Sequence, residues 1–495
     1  MPEQSSAKPS FGLENFTTLP QLLVNSVERY GEREALRQFD KETKSWHSLS
    51  YAQLMVRVME WRRAYAAMNL ERGTRIGILM PNSIDHACAD QAALANGLVP
   101  VPLHAIDTPG ASAFILSDSR AKVLVTNKLT RWKQIKAAGG DLQDLTAVII
   151  TEDEVDDETG MVRGLSEWLA AGTHVVELPE GPKEDDLAGI VYTSGTTGRP
   201  KGVMITHRNI VSNVQQINKC YDFNEEDVFL SFLPFSHTFE RTVAHYNSLA
   251  NGGAMAFARN AAQIENDLRE VRPTLMCSVP RIYEKIHQRL LHELAESSEE
   301  KRHQTAWALE TGWRRFAEAN HLPIELSPRA QLDETVWPQL DVEIASEVRE
   351  IFGGRLRATF AGGASLNYAV ARFFCALGIN ILQLYGLTET SPIVSFTRMK
   401  DNHPDCVGHP VPDCEVKLGA NDELLVRGPQ VMKGYWNRPL DTAAAFEDGW
   451  FRTGDQADLS DGGRVRIKGR IKEIIVTSTG EKIPPVDVEF AIQED

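Results

Sequence analysis

Short runs of β-branched and apolar residues recur along this chain, and helical stretches lie among them. Arg75–Leu79, Ala121–Val125, Thr146–Ile150 and Gly189–Tyr192 are such runs, with amphipathic sequence over Tyr51–Met68 and Asp85–Gly97. Alternation at this spacing predicts parallel βαβ units and an α/β class, because neighbouring parallel strands need a crossover connection. From Glu284 to Glu350 the pattern turns to long, charged helical sequence carrying Trp307, Trp313 and Trp337. That segment reads as a helical insertion or lid packed on the sheet. After Gly386 come short strands at Glu415–Lys417, Leu424–Arg427 and Arg464–Lys468, bounded by Gly, Pro and Asp turns. They suggest a small β-barrel or sandwich. The 495 residues are divided accordingly into an α/β region of βαβ subdomains over 1–395, a β-rich subdomain over 396–470, and the start of a further unit over 471–495.

Charge and cysteine usage narrow the function. The chain has 52 Lys and Arg against 68 Asp and Glu, a net charge of −16. Such a surface repels a polyanion over long range, which argues against a nucleic-acid partner. Six cysteines, at 88, 220, 277, 375, 406 and 414, form no CxxC pair. Isolated thiols in a long chain point to a reduced, cytoplasmic protein. Met1–Ser10 lacks the basic and apolar regions of a signal peptide, and no run of about 18 apolar residues occurs. A transmembrane segment is therefore not expected. Peripheral membrane contact stays open, although no basic amphipathic helix or lipidation motif marks it. The acidic run Thr151–Gly160 reads as a solvated loop.

The strongest chemical signal is Tyr192-Thr-Ser-Gly-Thr-Thr-Gly-Arg-Pro-Lys-Gly202, set between the apolar run Leu187–Val191 and the short strand Val203–Ile205. Hydroxyls alternate with glycines that lack Cβ, so backbone N–H groups can close around phosphate oxygens. Lys201 and Arg199 supply positive charge, each charge-assisted hydrogen bond contributing about 1.5–3 kcal/mol. A flexible linker would not need a Pro-Lys-Gly end between two strands. Nor is the tract a Walker A loop, since Pro200 stands where that pattern requires glycine.

Thr193–Gly202 resembles the phosphate loop of the adenylate-forming superfamily, which includes acyl- and aryl-CoA synthetases and luciferases. Further matches follow in the order that superfamily shows. Pro234-Phe-Ser-His237 is similar to its substrate-side histidine motif, and Gly362-Gly-Ala-Ser365 resembles its adenine wall. Gln383-Leu-Tyr-Gly-Leu-Thr-Glu389 looks like its tyrosine–glycine–threonine–glutamate motif. Trp450-Phe-Arg-Thr-Gly-Asp455 and Gly469-Arg-Ile-Lys-Glu473 look like its ribose and hinge motifs. Val279-Pro-Arg281, with the helical segment up to Phe352-Gly-Gly354, is most similar to long-chain fatty acyl-CoA synthetases.

The resemblance implies activation of a fatty acid by ATP to acyl-AMP and pyrophosphate, then thioester formation with coenzyme A. It implies that Thr193, Ser194, Gly195, Thr196, Thr197, Gly198 and Lys201 hold phosphates, and that Thr193 and Glu389 hold Mg²⁺. Gly363, Ala364, Ser365, Gln383, Tyr385, Gly386 and Thr388 would surround the nucleotide, with Tyr385 stacked on adenine and Thr388 bonded to a phosphate oxygen. Asp455 would accept from the ribose hydroxyls, Arg470 would approach from the hinge, and Lys472 would be the hinge itself. Lys201, His237, Thr388 and Glu389 form the implied catalytic set. His237 is positional, since a fatty acid is already ionised at neutral pH. On the residues alone, Tyr385 also reads as a packed aromatic, Arg470 as a surface arginine and His237 as a satisfied histidine.

One departure stands out. The superfamily's late Pro-x-x-x-x-Gly-Lys lysine motif is absent, and Lys482 lies in Gly480-Glu-Lys-Ile-Pro484, which resembles the beginning of the C-terminal α+β lid. The expectation is a chain truncated beyond the hinge, binding ATP but adenylating weakly and ligating coenzyme A more weakly still. Two other readings remain at this level: a fatty acyl-AMP ligase serving a carrier protein, and a non-catalytic nucleotide-binding form.

Overall fold

The computed structural model of the protein describes residues 16–155, 157, 159–193, 199–324 and 335–471, with the backbone of 475–476 and 482–483. The first α/β unit is a parallel five-stranded sheet in the order Val99–Pro102, Arg75–Leu79, Val123–Thr126, Ala147–Ile150, Val162–Gly164. Four of the five are buried on every residue or nearly so, which is why they read as unbroken apolar runs. Tyr51–Ala67 and Ile84–Ala95 are the two helices expected from their amphipathic sequence, and each begins at a serine cap, Ser50 and Ser83.

The second unit is a nine-stranded sheet. Six parallel strands form its centre in the order Ile381–Gly386, Ala358–Ala361, Leu275–Ser278, Val228–Ser231, Ala254–Phe257, Glu34–Asp40. Antiparallel strands flank them: Ile393–Phe396 and His409–Pro410 on one side, Ser45–Ser50 on the other. The α/β expectation therefore holds, with antiparallel edges added. Beyond it, Glu415–Leu418, Glu423–Arg427, Trp450–Asp458, Phe446–Glu447 and Arg466–Arg470 form an antiparallel sheet over a small core of Val394, Leu424, Val426, Ala457 and Val465.

The charged segment after 280 forms the helices Pro280–Ala295 and Glu299–Ala319. The second packs mainly on a neighbouring helix, Tyr368–Ala376. Gly312 makes that contact close, since a Cβ there would fall 1.9 Å from the carbonyl oxygen of Ala376. Among the described residues no helix is long and apolar enough to cross a membrane.

A small three-stranded sheet joins distant parts of the chain. Leu187–Thr193 pairs with Lys201–Thr206, and Gly434–Tyr435 pairs with Met204 and Val203 of the latter. The phosphate-loop candidate thus connects two adjacent antiparallel strands, and a segment more than 200 residues later lies against its far arm. Ser194, Gly195, Thr196, Thr197 and Gly198 of the loop, and Lys472 of the hinge motif, lie outside the described residues.

Candidate active site

Ligands of open parallel sheets bind beyond the carboxyl ends of the strands. Here those ends converge on a cavity of about 590 Å³. The strand Ala358–Ala361 delivers Gly362 and Gly363, Ile381–Gly386 delivers Leu387, Thr388 and Glu389, and Val99–Pro102 leads to His104. Thr193 and Lys201, at the two ends of the phosphate-loop hairpin, line it too, as do Tyr435, Thr453 and Arg470. Gly386 has no freedom to carry a side chain, because a Cβ would lie 1.8 Å from the Pro392 oxygen.

The loop bearing His237 is clamped by Asn82. Its Nδ2 donates to Leu233 O at 2.7 Å and its Oδ1 accepts from Phe235 N at 2.9 Å. Phe235 is buried against His86, His245 and Phe257. His237 follows, its ring tilted against that of His104 at 4.3 Å between centroids, and the His104 Nδ1 meets the hydroxyl of buried Ser236. His237 itself is exposed and lines the cavity. Desolvation by the walls around it, and then the neighbouring His104, lower its pKa below the ordinary 6.5, so the ring is neutral at physiological pH. Val191, Phe239, Leu384, Pro392 and Ile393 add apolar surface to the cavity lining.

Glu389 sits in the turn Thr388–Thr390, whose place is fixed by Met432 N donating to Glu389 O at 2.8 Å. The Tyr435 hydroxyl donates to Glu389 Oε1 at 2.9 Å, and Lys201 Nζ donates to Asp441 Oδ1 at 2.7 Å. Asp455 is buried, with Tyr385 OH donating to its Oδ2 at 2.5 Å and Arg470 Nε lying 2.9 Å from its Oδ1. Burial, with Asp455 as the next cause, raises the Tyr385 phenol, so it stays a donor.

Thr193, Lys201, His237, Gly363, Gly386, Thr388, Glu389 and Arg470 therefore share one cavity. Tyr385 belongs to the strand Ile381–Gly386; neither it nor Asp455 lines the cavity, and the two connect to it through Arg470, which pairs with Asp455. Ala364 and Ser365 are exposed and do not line the cavity. Gln383 is buried beneath it, its Nε2 donating to Pro404 O at 2.6 Å, which gives it a scaffold contact. His104, Asn82, Tyr435 and Asp441 escaped sequence reasoning, since none stands in a tract with a chemical spacing.

The donor set fits Mg²⁺. Among the residues lining the cavity, Thr193 and Thr388 carry hydroxyl oxygens and Glu389 carboxylate oxygens. No cluster of three or more His, Cys, Asp or Glu able to hold a metal exists among the described residues. A single carboxylate with substrate phosphates and water is how Mg²⁺ is commonly bound.

Asp118 braces this geometry from the first sheet's side. Its carboxylate accepts from Tyr192 OH at 2.8 Å and from Arg438 Nη2 at 2.7 Å, and its backbone oxygen accepts from Trp436 Nε1 at 3.0 Å. Removing the carboxylate leaves a mostly buried tyrosine and an arginine unpaired. Asp118→Ala is expected to cost about 2 kcal/mol in urea denaturation and to weaken ATP binding, because Thr193 and Tyr435 sit on the braced strands.

The sequence pattern of the family described as AMP-binding enzyme matches residues 23–436. The chain belongs to that family. Among curated relatives, the AMP-binding enzyme is 28% identical over 500 residues to the long-chain-fatty-acid–CoA ligase ACSBG2 of Xenopus laevis, covering 96% of this chain and 66% of that protein. It is 30% identical to fatty acyl-CoA synthetase A of Dictyostelium discoideum, covering 92% of this chain and 69% of that one. The chain thus spans about two thirds of the length of these relatives. Its fold matches the N-terminal domain of FACL13 from Mycobacterium tuberculosis with a TM-score of 0.70 at 22% identity, over 92% of this chain and 100% of that one. ATP-bound MatB from Rhodopseudomonas palustris matches with a TM-score of 0.72 at 23% identity, over 95% of this chain and 82% of that one.

Proposed function

We propose that this AMP-binding enzyme activates a long-chain fatty acid with ATP and transfers the acyl group to coenzyme A, in the cytoplasm. The observation that carries the reading is a single cavity lined by Thr193, Lys201, Thr388, Glu389 and Arg470 together with His237 and the apolar side chains of Val191, Phe239, Leu384 and Ile393. In this account 1–395 carries the phosphate loop and acyl site, 396–470 completes the nucleotide site, and 471–495 begins the lid around the hinge Lys472. A carboxylate approaching a triphosphate is repelled, so neutralisation of charge is the main catalytic demand. Lys201 and Thr193 hold phosphate oxygens together with Ser194–Gly198. Thr388 donates to a phosphate oxygen, Tyr385 and the Gly363–Ser365 turn flank adenine, and Asp455 takes the ribose hydroxyls. Mg²⁺, held by Glu389 and Thr193, would shield the phosphates. Neutral His237 orients the carboxylate and borders the path of the incoming thiol.

Long-chain specificity rests on the relatives' names and on the motif Val279-Pro-Arg281. Its test is pyrophosphate release with fatty acids of increasing length. Each added buried methylene contributes about 0.8 kcal/mol, so kcat/KM should rise about fourfold per methylene until the cavity is full. A maximum at short or aromatic acids would overturn the substrate assignment. Release of the acyl group to a phosphopantetheinyl carrier, with free coenzyme A inert, would overturn the acceptor.

A further inference from the structure

In the cavity, the group that should meet phosphate is already paired. Lys201 Nζ donates to Asp441 Oδ1 at 2.7 Å and lies 5.2 Å from the centre of the Tyr435 ring. The pairing is built by the backbone. Lys201 opens the strand Lys201–Thr206, and Tyr435 pairs with Val203 of that strand. Tyr435 N donates to the hydroxyl of Thr442, and Asp441 precedes Thr442 in the helical turn Pro439–Ala444. The aspartate is thus carried to the lysine by the same small sheet that holds the phosphate-loop hairpin. Both side chains remain reachable from solvent, Lys201 at 22% and Asp441 at 40% exposure, so the pair can open without unfolding anything.

We propose that Asp441 is an internal stand-in for phosphate: it holds Lys201 in the free protein, yields it to a polyphosphate, and recovers it when pyrophosphate leaves. This rests on the ATP reading above. A single carboxylate brings one negative charge to Lys201, whereas the tail of ATP and free pyrophosphate bring several, so only a polyphosphate outcompetes it. Asp441 therefore lowers affinity for every ligand whose phosphate takes Lys201, by the cost of opening this one pair. The benefit is release, since a lysine without a competing acid would retain pyrophosphate. Surface ion pairs are individually weak, so the competition is a tuning of affinity and not an on–off lock.

Calorimetric titration of Mg²⁺-ATP, pyrophosphate and adenosine into the wild-type chain and into Asp441→Asn tests this. Asp441→Asn should bind ATP and pyrophosphate about fivefold more tightly, with adenosine, which carries no phosphate, unchanged. Asp441→Glu, which keeps the charge, should behave as wild type. If Asp441→Asn proves unstable, Asp441→Ser removes the same charge and carries the same expectation. Unchanged or weaker ATP binding in the neutral variants, with wild type binding ATP, would overturn the stand-in role and leave the ATP reading intact, since the pair would then serve only to position Lys201. A wild-type chain with no affinity for Mg²⁺-ATP would overturn the ATP reading itself.

Discussion

Glu389→Gln is expected to lower ATP–pyrophosphate exchange by about a hundredfold or more while the protein keeps its melting temperature, on the scale seen when a group stabilising developing charge is removed. The substitution is nearly isosteric, and the amide oxygen can still accept from Tyr435 OH, now 2.9 Å from Glu389 Oε1. The turn Thr388–Thr390 is held by backbone contacts to Met432 and Leu387 that the side chain does not share. What disappears is one negative charge facing the cavity. No group of three or more His, Cys, Asp or Glu able to hold a metal exists among the described residues. Titration of ATP with and without Mg²⁺ separates the causes. Wild type should gain affinity from Mg²⁺, and Glu389→Gln should gain almost none, while Mg²⁺-free binding stays within about twofold. Full exchange activity in Glu389→Gln would remove this residue from the metal site.

The reason Glu389 could be named from sequence, while its partner Tyr435 could not, is one of range. Glu389 lies in a compact tract whose Tyr-Gly-x-Thr-Glu order carries chemistry at adjacent positions. The same holds for Thr193 and Lys201, which flank a turn between two strands of one hairpin, so a local pattern and the local fold coincide. Tyr435 and Asp441 reach the site because Gly434–Tyr435 adds a third strand to that hairpin, a pairing between segments more than 200 residues apart. Nothing in a Gly-Tyr dipeptide announces a strand. His104 is hidden for a similar reason: it follows a four-residue strand of the first sheet, and only the meeting of the two sheets lays it on His237. Gln383 shows the converse. It lies within a motif, yet it sits two positions before Tyr385, further from the strand's carboxyl end, and is buried against Pro404. The strands themselves were legible because burial on both faces imposes continuous apolar runs, whereas the seat of the Glu299–Ala319 helix depended on Gly312, one small residue among charged ones.

Acidification from about pH 7 to about pH 5 is expected to remove about 3 kcal/mol of folding stability, read as a fall in the urea midpoint. Three histidines lie inside the first core, His86, His207 and His245, at 3%, 0% and 2% exposure. Desolvation is the leading cause that lowers each from 6.5 to about 4. His207 makes the reason visible: its Nδ1 accepts from Leu19 N at 3.2 Å and so has no place for a second proton. The sign follows from which state takes up protons. Below pH 6.5 the unfolded chain protonates these rings, while the folded chain refuses until about pH 4. Stability is therefore complete above 6.5 and drains away between 6.5 and 4, by about 2 kcal/mol per ring at pH 5. Glu240 works in the opposite direction. It is fully buried, and desolvation raises it from 4.5 to about 8, so the folded chain holds its proton and gains on acidification through that range. One carboxyl offsets part of three imidazoles, and the balance is a net loss. His207→Gln, whose side-chain oxygen can still accept from Leu19 N, should flatten the profile by about 2 kcal/mol at pH 5 relative to wild type. A urea midpoint that does not move between neutral pH and pH 5 would mean that these rings carry their protons inside the fold, against the packing that surrounds them.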